Sequence, residues 1–284
     1  MGHRPHRPQN IYRRVSNEGV PLDIIELLKS AFMGLVEGIT EWLPVSSTGH
    51  MILVDEFVKM NVSETFWNMF LVVIQLGAIL AVCVLFFHEL NPFSPSKGKE
   101  GRRDTWVLWG KIVLGCIPAA AIGLPLNDWM EEHFYNAPVV ALALIVYGVL
   151  FIVIENWNKN RVPTTTTLSQ LTYRDALIIG FCQLVAAALP GTSRSGATIL
   201  GAIMIGISRT VAAEFTFFLA IPVMFGASLL KVLKFGFAFT GMEFACLLVG
   251  TVISFIVSLF VLRFLMGYIK KHDFKVFGWY RIVL

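Results

Sequence analysis

Glu37-Gly-Ile-Thr-Glu41-Trp-Leu-Pro44-Val-Ser46-Ser47-Thr48-Gly49-His50 sets acids, hydroxyls and an imidazole inside sequence otherwise apolar enough for a bilayer. Glu37 and Glu41 are one helical turn apart and share a face, and Pro44 favours ending that helix before a hydroxyl-rich turn. Such a turn can hold a phosphate. Ionisable groups in a membrane segment are costly and mark function by default; the bland alternative is a pair of surface acids beside a solvated turn.

Outward from this stretch, the composition is that of a membrane protein. Of 284 residues, 56% are hydrophobic and 15% charged, and the mean hydropathy is +0.68, far from soluble usage. Runs long enough to span hydrocarbon lie near Phe66–Phe87, Trp106–Leu126, Ala137–Ile154, Val211–Leu233 and Phe244–Met266. A further run from Phe277 to Leu284 is too short to cross about 30 Å. The net charge of +4 comes from basic residues in short loops, which excludes a nucleic-acid face. Cys83, Cys116, Cys182 and Cys246 stand singly in apolar segments and read as small core residues. Residues 1–23 form a basic, Pro-bearing tail expected to be disordered.

Two apolar segments are too broken to be ordinary spans: Ile24 to about Phe57 and Ala176 to about Ile207, each with a Pro and a Ser/Thr/Gly run at its centre. Aligning Gly34-Leu-Val-Glu37…Leu43-Pro44-Val-Ser-Ser47 with Gly180-Phe-Cys-Gln183…Leu189-Pro190-Gly-Thr-Ser193 matches Gly, Leu-Pro and Ser at an offset of 146 (180 − 34). Ser63-Glu-Thr65 likewise resembles Ser208-Arg-Thr210, and each opens an apolar span. Three spans separate the broken segments, so if each segment enters and leaves on one side, the two open to opposite faces. The expected fold is an all-α membrane protein, an inverted-topology repeat with two re-entrant helix pairs and about six transmembrane helices, the last truncated. It forms one membrane domain over 24–284, with halves 24–155 and 156–284 and motifs at 34–50 and 180–196. The tips should meet near the midplane, with helix N-termini just after Val45 and Thr192 offering N–H groups to an anion.

Lysines and arginines are unevenly shared between the two faces. One has Lys59, Lys231 and Lys234; the other has Lys97, Lys99, Arg102, Arg103, Lys159, Arg161, Arg174, Arg209, Lys270, Lys271 and Lys275. The second is therefore expected to be cytoplasmic, and the Glu37–His50 segment to open outward.

The second motif, Pro190-Gly191-Thr192-Ser193-Arg194-Ser195-Gly196, reads as a phosphate clamp. Gly191 lets backbone approach closely, Thr192, Ser193 and Ser195 supply hydroxyls, and Arg194 presents a planar fork of donors. Gln183 and Ala187 stand where the first half has Glu37 and Glu41, so the acids lie on one side only. His88, Glu89 and Glu155 fall at span ends and read as interfacial, Glu214 is left without a role, and Trp42, Trp106 and Trp129 read as packing or interface aromatics.

The strings GLVEGITEWLPVSSTGH and LPGTSRSGAT together resemble the bacterial undecaprenyl-diphosphate phosphatases of the integral-membrane bacitracin-resistance type. Val73-Ile-Gln-Leu-Gly77-Ala-Ile-Leu80, Gly115-Cys-Ile-Pro118, Leu171-Thr-Tyr-Arg174-Asp-Ala and Ser208-Arg-Thr-Val-Ala-Ala-Glu214-Phe extend the likeness over most of 24–284. The basic N-terminal extension and the short last helix depart from the family's pattern. The resemblance implies hydrolysis of undecaprenyl diphosphate to undecaprenyl phosphate and inorganic phosphate in the bacterial cytoplasmic membrane, recycling the carrier for peptidoglycan and conferring bacitracin resistance. It implies a divalent cation, Mg²⁺ or Ca²⁺, with Glu37 and Glu41 as ligands. Glu41, Ser47, His50 and Arg194 are the implied catalytic set; Ser46, Thr48, Gln183, Gly191, Thr192, Ser193, Arg194 and Ser195 are expected to meet the substrate. The nucleophile is either Ser47, activated by His50 or Glu41, or a metal-bound water with His50 as acid-base. The expected partners are a prenyl diphosphate lipid, the bilayer and, as a candidate, a second copy of the chain in a homodimer, but not nucleic acid. The competing reading is an inverted-repeat secondary transporter or flippase for a prenyl phosphate; a non-catalytic scaffold has no use for the buried acids.

Overall fold

The computed structural model describes residues 23–134 and 136–284, without the side chains of residues 124, 127, 128, 131 and 132; all of the basic tail except Asp23 lies outside them. The described residues are helical, with no strand among them and one isolated bridge between Thr165 and Ile207. Five helices are long and apolar enough to cross a membrane: Glu64–Leu85, Lys99–Gly123, Ala137–Asn158, Arg209–Phe235 and Gly241–Tyr268.

In chain order, α1 (Ile24–Thr40) and α2 (Ser47–Phe57) form the first broken pair. The first span is α3 (Glu64–Val73) followed by α4 (Gln75–Leu85), and α5 (Phe87–Leu90) is a single turn. The second span, α6 (Lys99–Pro118), continues through a π-helical turn (Ala119–Gly123) into α7 (Leu124–Phe134). The third is α8 (Ala137–Asn158), and the second broken pair is α9 (Tyr173–Ala188) with α10 (Arg194–Met204). Then come α11 (Arg209–Phe235), α12 (Gly241–Tyr268) and the short α13 (Lys275–Val283).

Local chemistry sets these boundaries. Thr172 with Asp175 and Thr240 with Glu243 build capping boxes at the starts of α9 and α12. Ser63 and Ser208, paired in sequence, cap α3 and α11 in the same way, accepting from Phe66 N and Val211 N. The break at Ile74 coincides with a lateral bond, in which Ser228 Oγ donates to Val72 O at 3.1 Å. The second span differs from its sequence-based limits, starting earlier at Lys99 and ending at Gly123. Charged side chains occupy its first turns, and Pro118, lacking an N–H, gives way to the π turn at the other end.

Each broken pair docks on a span through glycine. A methyl carbon on Gly34 of α1 would lie 2.3 Å from Gly250 O of α12, and one on Gly180 of α9 would lie 2.3 Å from Gly115 O of α6. Backbones can approach this closely only where neither helix has a side chain, the usual means of packing helices that have no hydrophobic drive between them in lipid. The two pairs differ in depth. Ser195–Ile203 of α10 is buried throughout against α9 and α11, whereas α2 buries only Gly49 and Met51.

Candidate active site

The two breaks have the same construction. Leu189-Pro190 ends α9 as Leu43-Pro44 follows α1, and each returning helix begins at a serine with positive φ: Ser46 at 74° and Ser193 at 70°. Each of these serines caps its helix, Ser46 Oγ accepting from Gly49 N and Ser193 Oγ from Gly196 N, both at 3.2 Å. Left-handed backbone at a non-glycine residue is a strain of about 1–3 kcal/mol, and proteins concentrate it at functional turns. The structural equivalence is thus Ser46 with Ser193, an offset of 147 (193 − 46), rather than the Ser47–Ser193 match of the sequence alignment. The second turn has one more residue between Pro and cap, which shifts the register by one. Ser47 and Arg194 then hold the same position, the first of their helices.

Both first residues reach Glu41. Ser47 Oγ donates to Glu41 Oε2 at 2.7 Å, and Arg194 Nη2 donates to Glu41 Oε1 at 2.7 Å. Ser195 Oγ donates to the Glu41 carbonyl at 3.3 Å, so one residue of the first motif is held by two of the second. Arg194 is fixed further by Nη1 to Thr216 O at 3.2 Å on α11. The pair is largely withdrawn from solvent, with side-chain exposures of 15% for Arg194 and 7% for Glu41. A buried ion pair of this kind is expensive to break from one side, at about 3–5 kcal/mol.

Glu37 lies one turn behind, buried, with its carboxyl against that of Glu41 and its Oε1 without a hydrogen-bond partner. Two adjoining carboxyls offer oxygen donors to one cation. Gln183, the counterpart of Glu37, is also buried with both amide atoms unpartnered, as is Thr192 Oγ1. Thr48 is half-buried in the first turn of α2, and Ser193 Oγ lies 3.1 Å from Ser195 Oγ.

His50 is adjacent but faces elsewhere. Its Nδ1 lies 2.8 Å from Ser46 O, which can only accept, so Nδ1 carries the proton; in the neutral ring Nε2 accepts from Tyr280 Oη at 2.7 Å. With both nitrogens engaged, His50 makes no hydrogen bond to Ser47, and of the two activators expected for Ser47 only Glu41 is bonded to it.

Two residues of α13, Tyr280 and Arg281, belong to the site without having stood out in the sequence. Arg281 is fully buried, and among the described residues no ion pair to a carboxylate involves it. Its Nη1 donates to Pro44 O at 3.2 Å and its Nη2 to Gly191 O at 2.7 Å and Thr192 O at 2.8 Å, so one guanidinium holds both turns. Gly191, at φ +88°, permits this; a methyl carbon there would lie 2.6 Å from Val140 O. The available signal was an arginine inside an apolar run, the same one that marked Arg194.

Glu155 lies at the end of its span, as the sequence places it, but is buried there instead of facing solvent, accepting from Arg209 Nε and Nη2 and from Phe274 N. Arg209 therefore pairs with Glu155. Trp42 is a packing aromatic, fully buried with its ring edge-on to Phe217, and Trp106 and Trp129 are exposed.

Residues 30–284 match the family model for bacitracin resistance protein BacA. A protein of Desulfitobacterium hafniense named undecaprenyl-diphosphatase is 61% identical over 92% of this chain and 94% of its own length. Undecaprenyl-diphosphatase 1 of Clostridium acetobutylicum and the undecaprenyl-diphosphatase of Enterococcus faecalis are each 58% identical over 93% of this chain and 96% of their own.

Proposed function

The chain belongs to the bacitracin resistance protein BacA family, and from that premise we propose that it hydrolyses undecaprenyl diphosphate to undecaprenyl phosphate and inorganic phosphate. The observation that carries the reading is the convergence of Ser47 and Arg194 on the single carboxylate of Glu41, inside an apolar helical protein. Hydrolysis recycles the lipid carrier for peptidoglycan, which accounts for the link to bacitracin.

Phosphoryl transfer asks a protein for position and charge more than for covalent chemistry. The Ser47 hydroxyl already points its proton at Glu41. As Oγ attacks the terminal phosphorus, that proton passes to Glu41, the bond from phosphorus to the bridging oxygen breaks, and the lipid monophosphate leaves with both electrons of that bond. Arg194 neutralises the charge that spreads over the non-bridging oxygens, and the N–H groups at the starts of α2 and α10 add to it. Water then cleaves the phosphoserine; Glu41 returns its proton to Ser47 Oγ, and phosphate departs.

The donor set fits a divalent cation. Glu37, with an unpartnered buried oxygen beside Glu41, is the freer ligand, since both Glu41 oxygens already accept hydrogen bonds. Mg²⁺ or Ca²⁺ held by Glu37 and Glu41 would offset the negative charge a diphosphate adds to the two acids. The lysine and arginine count supports a site opening to the outer side of the bacterial cytoplasmic membrane. A transporter reading is not favoured: the similar proteins are named for hydrolysis, and a serine bonded to a carboxylate has no work to do in transport.

The direct test is phosphate release from a C55 prenyl diphosphate by the detergent-purified protein. Release that stops with chelator and returns with Mg²⁺ or Ca²⁺ is expected. No release under any metal condition would return the transporter reading to first place.

A further inference from the structure

We propose that a second site, separate from the catalytic one, binds the phosphate headgroup of an anionic phospholipid. It is a pocket of about 300 Å³ where α8 and α12 end and α11 begins, closed by the loop leading into α13. Its walls carry Lys159, Arg209, Lys270, Lys271 and Lys275 against only Glu155 and Asp273, a net charge of +3 (5 − 2) with His272 neutral.

The acids of the pocket are already engaged. Glu155 forms the buried floor, bonded to Arg209 and to Phe274 N at 3.0 Å, and Asp273 pairs with Lys275 at 3.0 Å. Together these pairs make a neutral, hydrogen-bonded frame. Lys159, Lys270 and Lys271 remain at the rim, exposed and converging on the same hollow, with Glu214 the acid that bears electrostatically on Lys270. A concave surface with a fixed frame and an excess of ammonium groups suits a phosphate oxyanion.

Its level in the protein identifies the anion as a lipid headgroup. Three spans leave their apolar stretches here, at Asn158, Arg209 and Tyr268, which places the pocket at the depth of the headgroups. Trp157 is 49% exposed beside it and carries Arg161 stacked 3.3 Å over its ring, the aromatic and basic pairing typical of a membrane interface. The catalytic site lies elsewhere: α13 begins at the pocket with Lys275 and only reaches the two motif turns with Tyr280 and Arg281.

Native mass spectrometry of the detergent-solubilised protein tests this, with titrations of phosphatidylglycerol, phosphatidylcholine and inorganic phosphate. The expected result is selective retention of phosphatidylglycerol. Joint replacement Lys159→Gln, Lys270→Gln and Lys271→Gln should weaken that retention about a hundredfold, at roughly one factor of five per lysine. Hydrolysis of the diphosphate substrate should be unchanged in this variant, which also shows that it is folded. Equal retention of the two lipids, or phosphatidylglycerol binding that survives the triple replacement, overturns the proposal. Lysine-dependent binding of inorganic phosphate without phosphatidylglycerol binding overturns the lipid as ligand.

Discussion

Ser47 and Arg194 occupy one position in two copies of the same turn, each the first residue after a serine cap of positive φ, and they bond the two oxygens of one carboxylate. The two similar turns thus carry unequal chemistry. One copy supplies a hydroxyl that can attack, the other a cation that can hold what is attacked.

Ser47→Ala removes the attacking oxygen while leaving the Glu41–Arg194 pair in place. Phosphate release should fall by three orders of magnitude or more, about 4 kcal/mol of barrier. A loss of only about tenfold would correspond to one missing hydrogen bond and would shift the attack to water. Glu41→Gln should be as severe, and its residual rate should need more Mg²⁺ than wild type, whereas Ser47→Ala should leave the metal requirement unaltered.

Arg194→Lys keeps the charge but not the fork that reaches Glu41 and Thr216 O together. Turnover should drop at least about a hundredfold, since a point charge does not reproduce planar contact with phosphate oxygens. Near-normal turnover of Arg194→Lys would reduce the residue to a diffuse positive charge.

The His50–Tyr280 bond predicts coupled effects. Tyr280→Phe frees His50 Nε2, and the rate should fall several-fold; combined with His50→Ala it should add little to the loss that His50→Ala causes alone. Additive losses in that double-mutant cycle would show the two residues acting separately.

Gly180→Ala places a carbon against the Gly115 carbonyl and must push α9 from α6. The expected cost is about 1–3 kcal/mol or more, seen as a lower thermal midpoint in detergent together with reduced activity. Gly226→Ala, with nothing within 4 Å of the added carbon, is the matched control and should be neutral or slightly stabilising.

Orientation is tested with single cysteines at Asn61 and Asn160 in a background without the native four. An impermeant thiol reagent applied to intact cells should label Asn61→Cys and spare Asn160→Cys. The opposite pattern would place the catalytic turns on the cytoplasmic face.

The spans, both breaks and the acids with their arginine were legible because each has a local signature: apolar length, a Pro before hydroxyls, a charge where lipid forbids one. What the sequence hid was long-range. Whether Ser46 or Ser47 matches Ser193 depends on a one-residue difference in turn length that an ungapped alignment cannot express. That Glu155 is buried at its span end shows only when Arg209, 54 residues later, and the Phe274 amide are brought to it. Tyr280 and Arg281 sit in nine helical residues that read as a broken-off span, and their partners are up to 237 residues away.

The Arg281 clamp also sets an order of events during biosynthesis. Its contact on the first turn precedes it by 237 residues and its contacts on the second by 90 and 89. At about 5–20 residues per second of translation, the first turn waits roughly 10–50 s, and the second roughly 5–20 s, for the guanidinium that joins them. A nascent chain can therefore enter the bilayer with both strained turns present and bonded through Glu41, yet without the clamp that holds their backbones together. Ribosome-stalled chains ending before Arg281 should be inserted but should cleave the lipid more slowly than the full chain.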